Sequence, residues 1–207
     1  MKKLYRIYLL GFILLLLGTI PAQAQNSPMS LLQTTAHSMV DALNQNKNEL
    51  KKDPLVVNRL VEKILLPHID LISASKWVLG KHWRRADKKQ KLQFIREFRT
   101  LLVTFYSSAL ADFLKTNEFN KDMIRFQPLR GDVGEEVTVR SEVFSPAGKS
   151  IPVNYHMHQT RKGWKVYDVS VEGISMITTY KTSFANEIKI KGVDGLIASL
   201  AAKNKAN

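Results

Sequence analysis

One serine stands where a hydrolase could carry its nucleophile. Ser175 follows Gly173 in YDVSVEGISMITTYKTSF, residues 167–184, a segment that begins with strand-like alternation and ends with helical spacing. A nucleophile elbow has the pattern G-x-S-x-G, because its strained turn needs small residues on both sides of the serine. Ile177 occupies the position of the second glycine. The segment therefore predicts that Ser175 caps a helix rather than attacks a substrate.

Two histidines have a spacing that two metal ligands could share. His156 and His158 alternate along a predicted strand, so their side chains point to the same side of the sheet. Asn154 shares that side, and neither a carboxylate nor a third histidine follows in a recognised metal-ligand spacing. The pattern favours a solvent-facing polar surface and predicts no metal site.

A basic segment, KHWRRADKKQK at residues 81–91, contains Trp83 among its cations. Such a segment could face a phosphate-bearing surface or an acidic partner. It could equally be the solvated start of a helix whose tryptophan packs inward. The sequence leaves both interpretations open.

Composition narrows the function classes. The 207 residues contain no cysteine, which excludes disulfides, thiol nucleophiles and thiolate metal sites. Residues 1–24 combine Lys2, Lys3 and Arg6 with an apolar run and the ending Ala22-Gln23-Ala24, which predicts a signal peptide cleaved after Ala24 and export to the periplasm. The remaining chain holds 28 basic and 18 acidic residues. Nucleic acid is not an expected partner in that compartment.

The exported part, 25–207, is predicted to form a single domain with helices before strands. Residues 30–117 have helical periodicity, and the longest helix, 87–114, begins at the predicted N-cap Asp87. Its second half, from residue 101, carries one charge, Asp112, so it must be covered nearly all round. Residues 174–202 predict C-terminal helices interrupted by Gly192.

Residues 122–171 predict four strands joined by glycine-containing turns. The strands cover about 123–129, 136–144, 150–159 and 164–171, and apolar residues alternate with polar ones along the second and third. The sequence therefore predicts an α+β fold, with a twisted four-stranded antiparallel sheet packed by a mostly N-terminal helical layer. The sequence contains more apolar residues than the core of such a fold requires. The surplus could line an internal cavity for an apolar ligand.

Three stretches closely resemble one protein family. They are KILLPHIDLISASKWVLGKHWRRADKKQKLQFIREFRTLL, GWKVYDVSVEGISMITTYKTSFANEI and KGVDGLIASL, within residues 31–201. They resemble the MlaC or toluene-tolerance family, periplasmic phospholipid-binding proteins of the pathway that maintains outer-membrane lipid asymmetry. The most specific matches are Leu66-Pro67, Val78-Leu79-Gly80 with Trp83, and the run from Tyr167 to Phe184.

The resemblance implies a non-enzymatic carrier with a deep apolar cavity for acyl chains and a headgroup near solvent. It implies bound phospholipid as the ligand and no other cofactor. It also implies two partners, an outer-membrane lipoprotein–porin complex and an inner-membrane ABC transporter bearing a ring of MCE-domain protein, and we expect the carrier to be a monomer. The residues expected to line the cavity are Leu102, Phe105, Val139, Val153, Tyr155, Met157, Ile174, Ile177 and Tyr180.

Two other functions compete with the carrier. An exported lipid hydrolase would use Ser175, and a protein-binding adaptor would use the basic segment. The apolar surplus agrees with the carrier hypothesis.

Overall fold

A computed structural model of the protein describes residues 27–50, 52–53, 55–129, 131 and 133–206. The predicted signal peptide, 1–24, lies outside these residues. Within the described residues the fold is α+β, as predicted, with helices on both sides of the strand region along the chain. None of the described helices is both long and apolar enough to cross a bilayer.

The helices begin at polar caps that the sequence supplies. The Ser27 hydroxyl accepts from the Ser30 backbone N–H at 3.1 Å. Asp87 and Gln90 form a reciprocal capping box, which confirms Asp87 as the N-cap of the long helix.

The helices are α1 (Pro28–Gln45), α2 (Lys47–Leu50), α3 (Leu55–Leu60), α4 (Leu71–Leu79), α5 (Lys81–Arg85), α6 (Lys88–Thr116) and α7 (Met176–Ala206). A π-helical turn, Val61–Leu65, and a 3-10 turn, Leu66–His68, lead from α3 towards α4, and another 3-10 turn, Lys121–Met123, precedes the sheet.

The sheet is antiparallel and its five strands follow one another in chain order. The strands are β1 (Ile124–Phe126), β2 (Glu136–Phe144), β3 (Ser150–Thr160), β4 (Gly163–Val171) and β5 (Ile174–Ser175).

The predicted number of four strands is therefore one too low. Glu172 and Gly173 both have left-handed backbone angles, with φ of 50° and 82°. A two-residue turn of this kind joins antiparallel strands, so the chain turns back along β4 before α7 begins. Gly173 lies in the sharp turn that leads from β4 into β5.

Two apolar clusters hold the fold together. The helical cluster joins α4, α6 and α7, with Phe94, Phe98 and Phe184 in edge or stacked ring contacts. The sheet cluster lies on the apolar face of the strands, where Leu32 of α1 packs against it. Gly192, with φ of 71°, interrupts α7 where the sequence predicted a helix end. Leu196, Ile197 and Leu200 beyond this break return to the helical cluster.

Candidate functional site

A row of side chains crosses the apolar face of the sheet and becomes progressively more exposed. Strand register pairs Ser141 with Val153, Val153 with Val171, and Val171 with Ile174. Paired residues of antiparallel strands share a face, so all four point to the same side. Val153 is 8 % exposed, Val171 is 37 % and Ile174 is 66 %. The row therefore begins in the core and ends as uncovered apolar surface at β5.

The long helix shows a similar change along its length. Phe94 and Phe98 are buried under α7, and Phe98 meets the ring of Tyr180 at 5.2 Å between centroids. Farther along α6, Phe105 and Tyr106 are exposed, although the surrounding sequence is almost uncharged. Apolar side chains at this spacing would normally be covered. The described residues leave them partly uncovered.

Tyr106 connects the two exposed regions. Its hydroxyl donates to the sulfur of Met176 at 3.2 Å, at the start of α7 and two residues after Ile174. Burial raises the pKa of Tyr106 above its usual range, and the neighbouring Tyr180 raises it further. A phenol group whose pKa is raised stays protonated at neutral pH, so Tyr106 remains a neutral hydrogen-bond donor. We name the set of Phe105, Tyr106, Val153, Val171 and Ile174 the apolar surface.

Ser175 caps α7, as predicted. Its hydroxyl accepts from the Thr178 N–H at 3.1 Å and donates to Asp168 Oδ2 at 2.6 Å. The other oxygen of Asp168 accepts from the Ile177 N–H at 3.1 Å. Both polar groups thus satisfy the first turn of α7, which positions Ile177 and the following turn beside α6.

His156 and His158 lie on the polar face of the sheet but are half-buried, so the predicted solvent-facing pair is wrong in this respect. His158 Nε2 donates to Asp70 Oδ2 at 2.9 Å. His156 Nδ1 lies 3.1 Å from the Thr138 hydroxyl. Burial alone would raise the pKa of Asp70, but hydrogen bonds from Ser73 and His158 outweigh it and hold the pKa below its usual value. These contacts anchor α4 to the sheet. Among the described residues, no group of three potential ligands could hold a metal ion.

A separate cavity of about 260 Å³ lies between α1, α2 and the end of α6. The ion pair of Lys47 and Glu118 stands at its wall, and the apolar lining includes Leu43, Leu50 and Leu114. None of the residues predicted to line a ligand cavity belongs to it. It is therefore a different place from the apolar surface.

Comparison with known proteins decides the family. The family model described as MlaC protein matches residues 33–202. The chain belongs to the MlaC family.

Two relatives and one solved structure align with most of the chain. The toluene tolerance protein ttg2D of Pseudomonas putida is 29 % identical over 185 residues, covering 88 % of this chain and 83 % of the relative. The intermembrane phospholipid transport system binding protein MlaC of Haemophilus influenzae is 28 % identical over 189 residues, covering 89 % and 85 %. A phospholipid-binding protein from Ralstonia solanacearum, solved in complex with a phospholipid, superposes with a TM-score of 0.76 at 26 % identity, covering 86 % of this chain and 97 % of that one.

In this MlaC-family chain the residues predicted to line a cavity occupy three environments. Leu102, Ile177 and Tyr180 pack at the margin of the helical cluster. Phe105, Val153 and Ile174 belong to the apolar surface. The remaining three, Val139, Tyr155 and Met157, belong to the sheet cluster.

Two of these residues have no surface open to a ligand. Val139 and Met157 are fully buried, so in this structure they lie on the same face as the exposed row but in its covered part, the sheet cluster. Burial also raises the pKa of Tyr155, whereas a hydrogen bond with Ser141 opposes this rise. A polar contact therefore lies within the apolar face next to Val153.

Tyr106, Val171 and Met176 were not predicted from the sequence. Tyr106 is four residues after Leu102, so helical spacing already placed it on the same side of α6. Val171 ends a predicted strand, and its place beside Val153 follows only from the register. Met176 directly follows β5, and nothing in the sequence predicted that strand.

Proposed function

We propose that this chain is a periplasmic phospholipid carrier that moves phospholipids between the outer and inner membranes and so maintains outer-membrane lipid asymmetry. The acyl chains lie on the apolar surface and the headgroup stays near solvent. The observation that carries the proposal is the row from Val153 to Ile174, which leads from the buried core to uncovered apolar side chains. Family membership and the phospholipid-bound neighbour support it.

The physical need for such a carrier follows from the hydrophobic effect. Two acyl chains with about thirty methylenes would cost on the order of 20 kcal/mol in water, at about 0.8 kcal/mol per CH₂. An apolar protein surface that encloses them removes most of this cost. The transfer breaks no covalent bond. The site therefore needs a complementary apolar lining that excludes water, rather than an acid, a base or a metal.

We assign these residues to two groups. Leu102, Phe105, Ile177 and Tyr180 from the helices, with Val153, Tyr155 and Ile174 from the strands, contact the acyl chains. Val139 and Met157, which are fully buried on the same face, support this lining from within the sheet cluster. Tyr106, Val171 and Met176 complete the lining between the helices and the sheet.

The proposed protein partners follow from the same role. A carrier between two membranes exchanges cargo with an outer-membrane lipoprotein–porin complex and with an inner-membrane ABC transporter that bears a ring of MCE-domain protein. The name of the Haemophilus relative, an intermembrane phospholipid transport system binding protein, supports such a system. We propose that the carrier acts as a monomer, without a cofactor and without enzymatic activity.

The test is to identify what the protein carries when it is purified from cells without detergent. Denaturation followed by mass spectrometry of the organic extract should release phospholipid in proportion to protein. Folded protein that releases no phospholipid would exclude the carrier. Released free fatty acid or lysophospholipid in place of intact phospholipid would support the hydrolase.

A further inference from the structure

The outer face of α4 and α5 combines cations with large exposed apolar side chains. Ile72 is 62 % exposed and Trp77 is 58 % exposed on α4. Ile72, Lys76 and Trp77 are the exposed residues of α4. We name this face, together with the cations that continue it, the basic surface; its members are Ile72, Lys76, Trp77, Lys81, Arg84, Arg85 and Lys181.

The short helix α5 continues the basic surface. Lys81, Arg84 and Arg85 are spaced by three and four residues and all are exposed. Trp83 lies on the other side of α5 and packs against the helical cluster. The tryptophan of the basic segment therefore packs inward, as one interpretation expected, and its cations face solvent.

The turn at Gly80 brings a further cation to this face. A methyl group added to Gly80 would lie 3.4 Å from Cε of Lys181 and 3.8 Å from the carbonyl oxygen of Trp77. The Lys181 side chain therefore passes close to the end of α4. Lys181 directly follows Tyr180, so the basic surface adjoins the helix that lines the proposed acyl site.

No neighbouring carboxylate in the sequence neutralises these charges. Residues 71–86 contain neither aspartate nor glutamate. The acidic residues on either side, Asp70 and Asp87, each accept from a helix N-terminus. Among the described residues, the five cations of the basic surface form no ion pair. Burial lowers the pKa of His82, and the charges of Lys81 and Arg85 lower it further, as a positive local potential requires.

We propose that the basic surface docks directly on the anionic phospholipid headgroups of a bilayer. Each lysine or arginine held near an anionic membrane surface strengthens binding about fivefold. Tryptophan is favoured at the boundary between headgroups and acyl chains, because its ring is apolar and its N–H is polar. An acidic protein surface would match the cations, but an exposed tryptophan and isoleucine among lysines suit a lipid boundary better. This inference gives the proposed carrier a means to approach its cargo.

The experiment compares two charge-reversed variants of the full chain. K81E/R84E/R85E removes the cations of α5, whereas K189E/K203E/K205E changes the same total charge at exposed positions of α7. Each protein is sedimented with vesicles of phosphatidylethanolamine, with and without phosphatidylglycerol. We expect wild type and the α7 variant to sediment with the phosphatidylglycerol vesicles. The α5 variant should bind them at least about tenfold more weakly.

Tryptophan emission identifies the contact. Vesicles with phosphatidylglycerol and brominated acyl chains should quench part of the wild-type emission, and Trp77→Phe should lose that part while still binding. Equal vesicle affinity of the two charge-reversed variants would overturn the proposal, as would a wild type that stays in solution at low salt. Loss of lipid uptake in the α5 variant without loss of vesicle binding would instead assign the surface to a protein partner.

Failure of this inference can be separated from failure of the carrier function. Ile174→Glu changes the proposed acyl site and leaves the basic surface intact, so it should lose bound phospholipid and still sediment with vesicles. The α5 variant should retain the phospholipid it acquires in the cell. Vesicle binding without any bound phospholipid in wild type would overturn the carrier function alone.

Discussion

Val153 and Ile174 lie on the same face of the sheet, two strands apart, yet 8 % of the first and 66 % of the second is exposed. Val171 lies between them with an intermediate exposure. The apolar face thus extends beyond the part that the helices cover. A ligand with acyl chains would complete the covering.

A carboxylate at Ile174 should remove the ligand while sparing the fold. The position is exposed, so Ile174→Glu should change the free energy of unfolding of the ligand-free protein by no more than about 0.5 kcal/mol. Acyl chains beside the new carboxylate would remove water from it, which is unfavourable for a charged group. We therefore expect at least a tenfold loss of co-purified phospholipid. Ile190→Glu, at an exposed position of α7 outside the apolar surface, is the matched control and should retain its lipid.

Val153→Glu should lose the ligand as well, but with a larger effect on stability. Val153 is buried, so its replacement places a charge in the core and should lower the unfolding free energy by several kcal/mol. Circular dichroism at low temperature should still report helix and sheet. Full lipid occupancy in both Val153→Glu and Ile174→Glu would refute the assignment of the apolar surface.

Removing the ligand should lower the stability of the wild-type protein. A ligand that binds only the folded state stabilises it by about 2.7 kcal/mol when its concentration is a hundred times Kd. For a chain of this length, the corresponding fall in Tm is roughly 5–10 °C. Calorimetry before and after delipidation measures the change. The Ile174→Glu protein should show no comparable shift, and an unchanged wild-type Tm would contradict a ligand that completes the core.

Ser175→Ala should affect stability and not lipid content. The substitution removes a helix cap, which typically costs about 1 kcal/mol, and frees one oxygen of Asp168. Ser175→Thr retains a hydroxyl and should recover most of this loss. Urea unfolding measures both variants. A wild-type esterase activity that Ser175→Ala abolishes would restore the hydrolase hypothesis.

The contact of Asp70 with Ser73 and His158 predicts a pH-dependent contribution to stability. The folded pKa of Asp70 lies below its ordinary value of 3.8. Its contribution is therefore fully present above that value and is lost as the pH falls through the folded pKa. Asp70→Asn keeps an acceptor for the helix cap but not the charge. Urea unfolding should show a larger difference between wild type and this variant at pH 7 than near pH 3; an equal difference at both pH values would contradict the assignment.

The sequence predicted the elements well where local signals were strong. Alternating valines and glycine turns located β2 at its observed bounds, and Asp87 marked the start of α6. The strand β5 was missed because its signal is a two-residue turn, Glu172-Gly173, followed by only two paired residues. A glycine before a helical pattern gave no indication that the chain first turns back.

The site was harder to predict than the fold because periodicity gives the direction of a side chain but not its depth. Val139 and Val153 both point to the apolar face, yet Val139 is fully buried in the sheet cluster and Val153 leads towards the open edge. The exposure of Tyr106 likewise depends on how far α7 covers α6. Such differences arise from the packing of distant segments, which one sequence does not reveal.

The most direct measurement of the central claim is to map where a bound phospholipid touches the protein. A phospholipid with a photoreactive group in its acyl chain would be loaded, irradiated and located by peptide mass spectrometry. We predict cross-links to the segments that contain Phe105 and Tyr106 and to residues 171–180. Cross-links confined to the cavity between α1, α2 and the end of α6, or none despite bound lipid, would contradict the account.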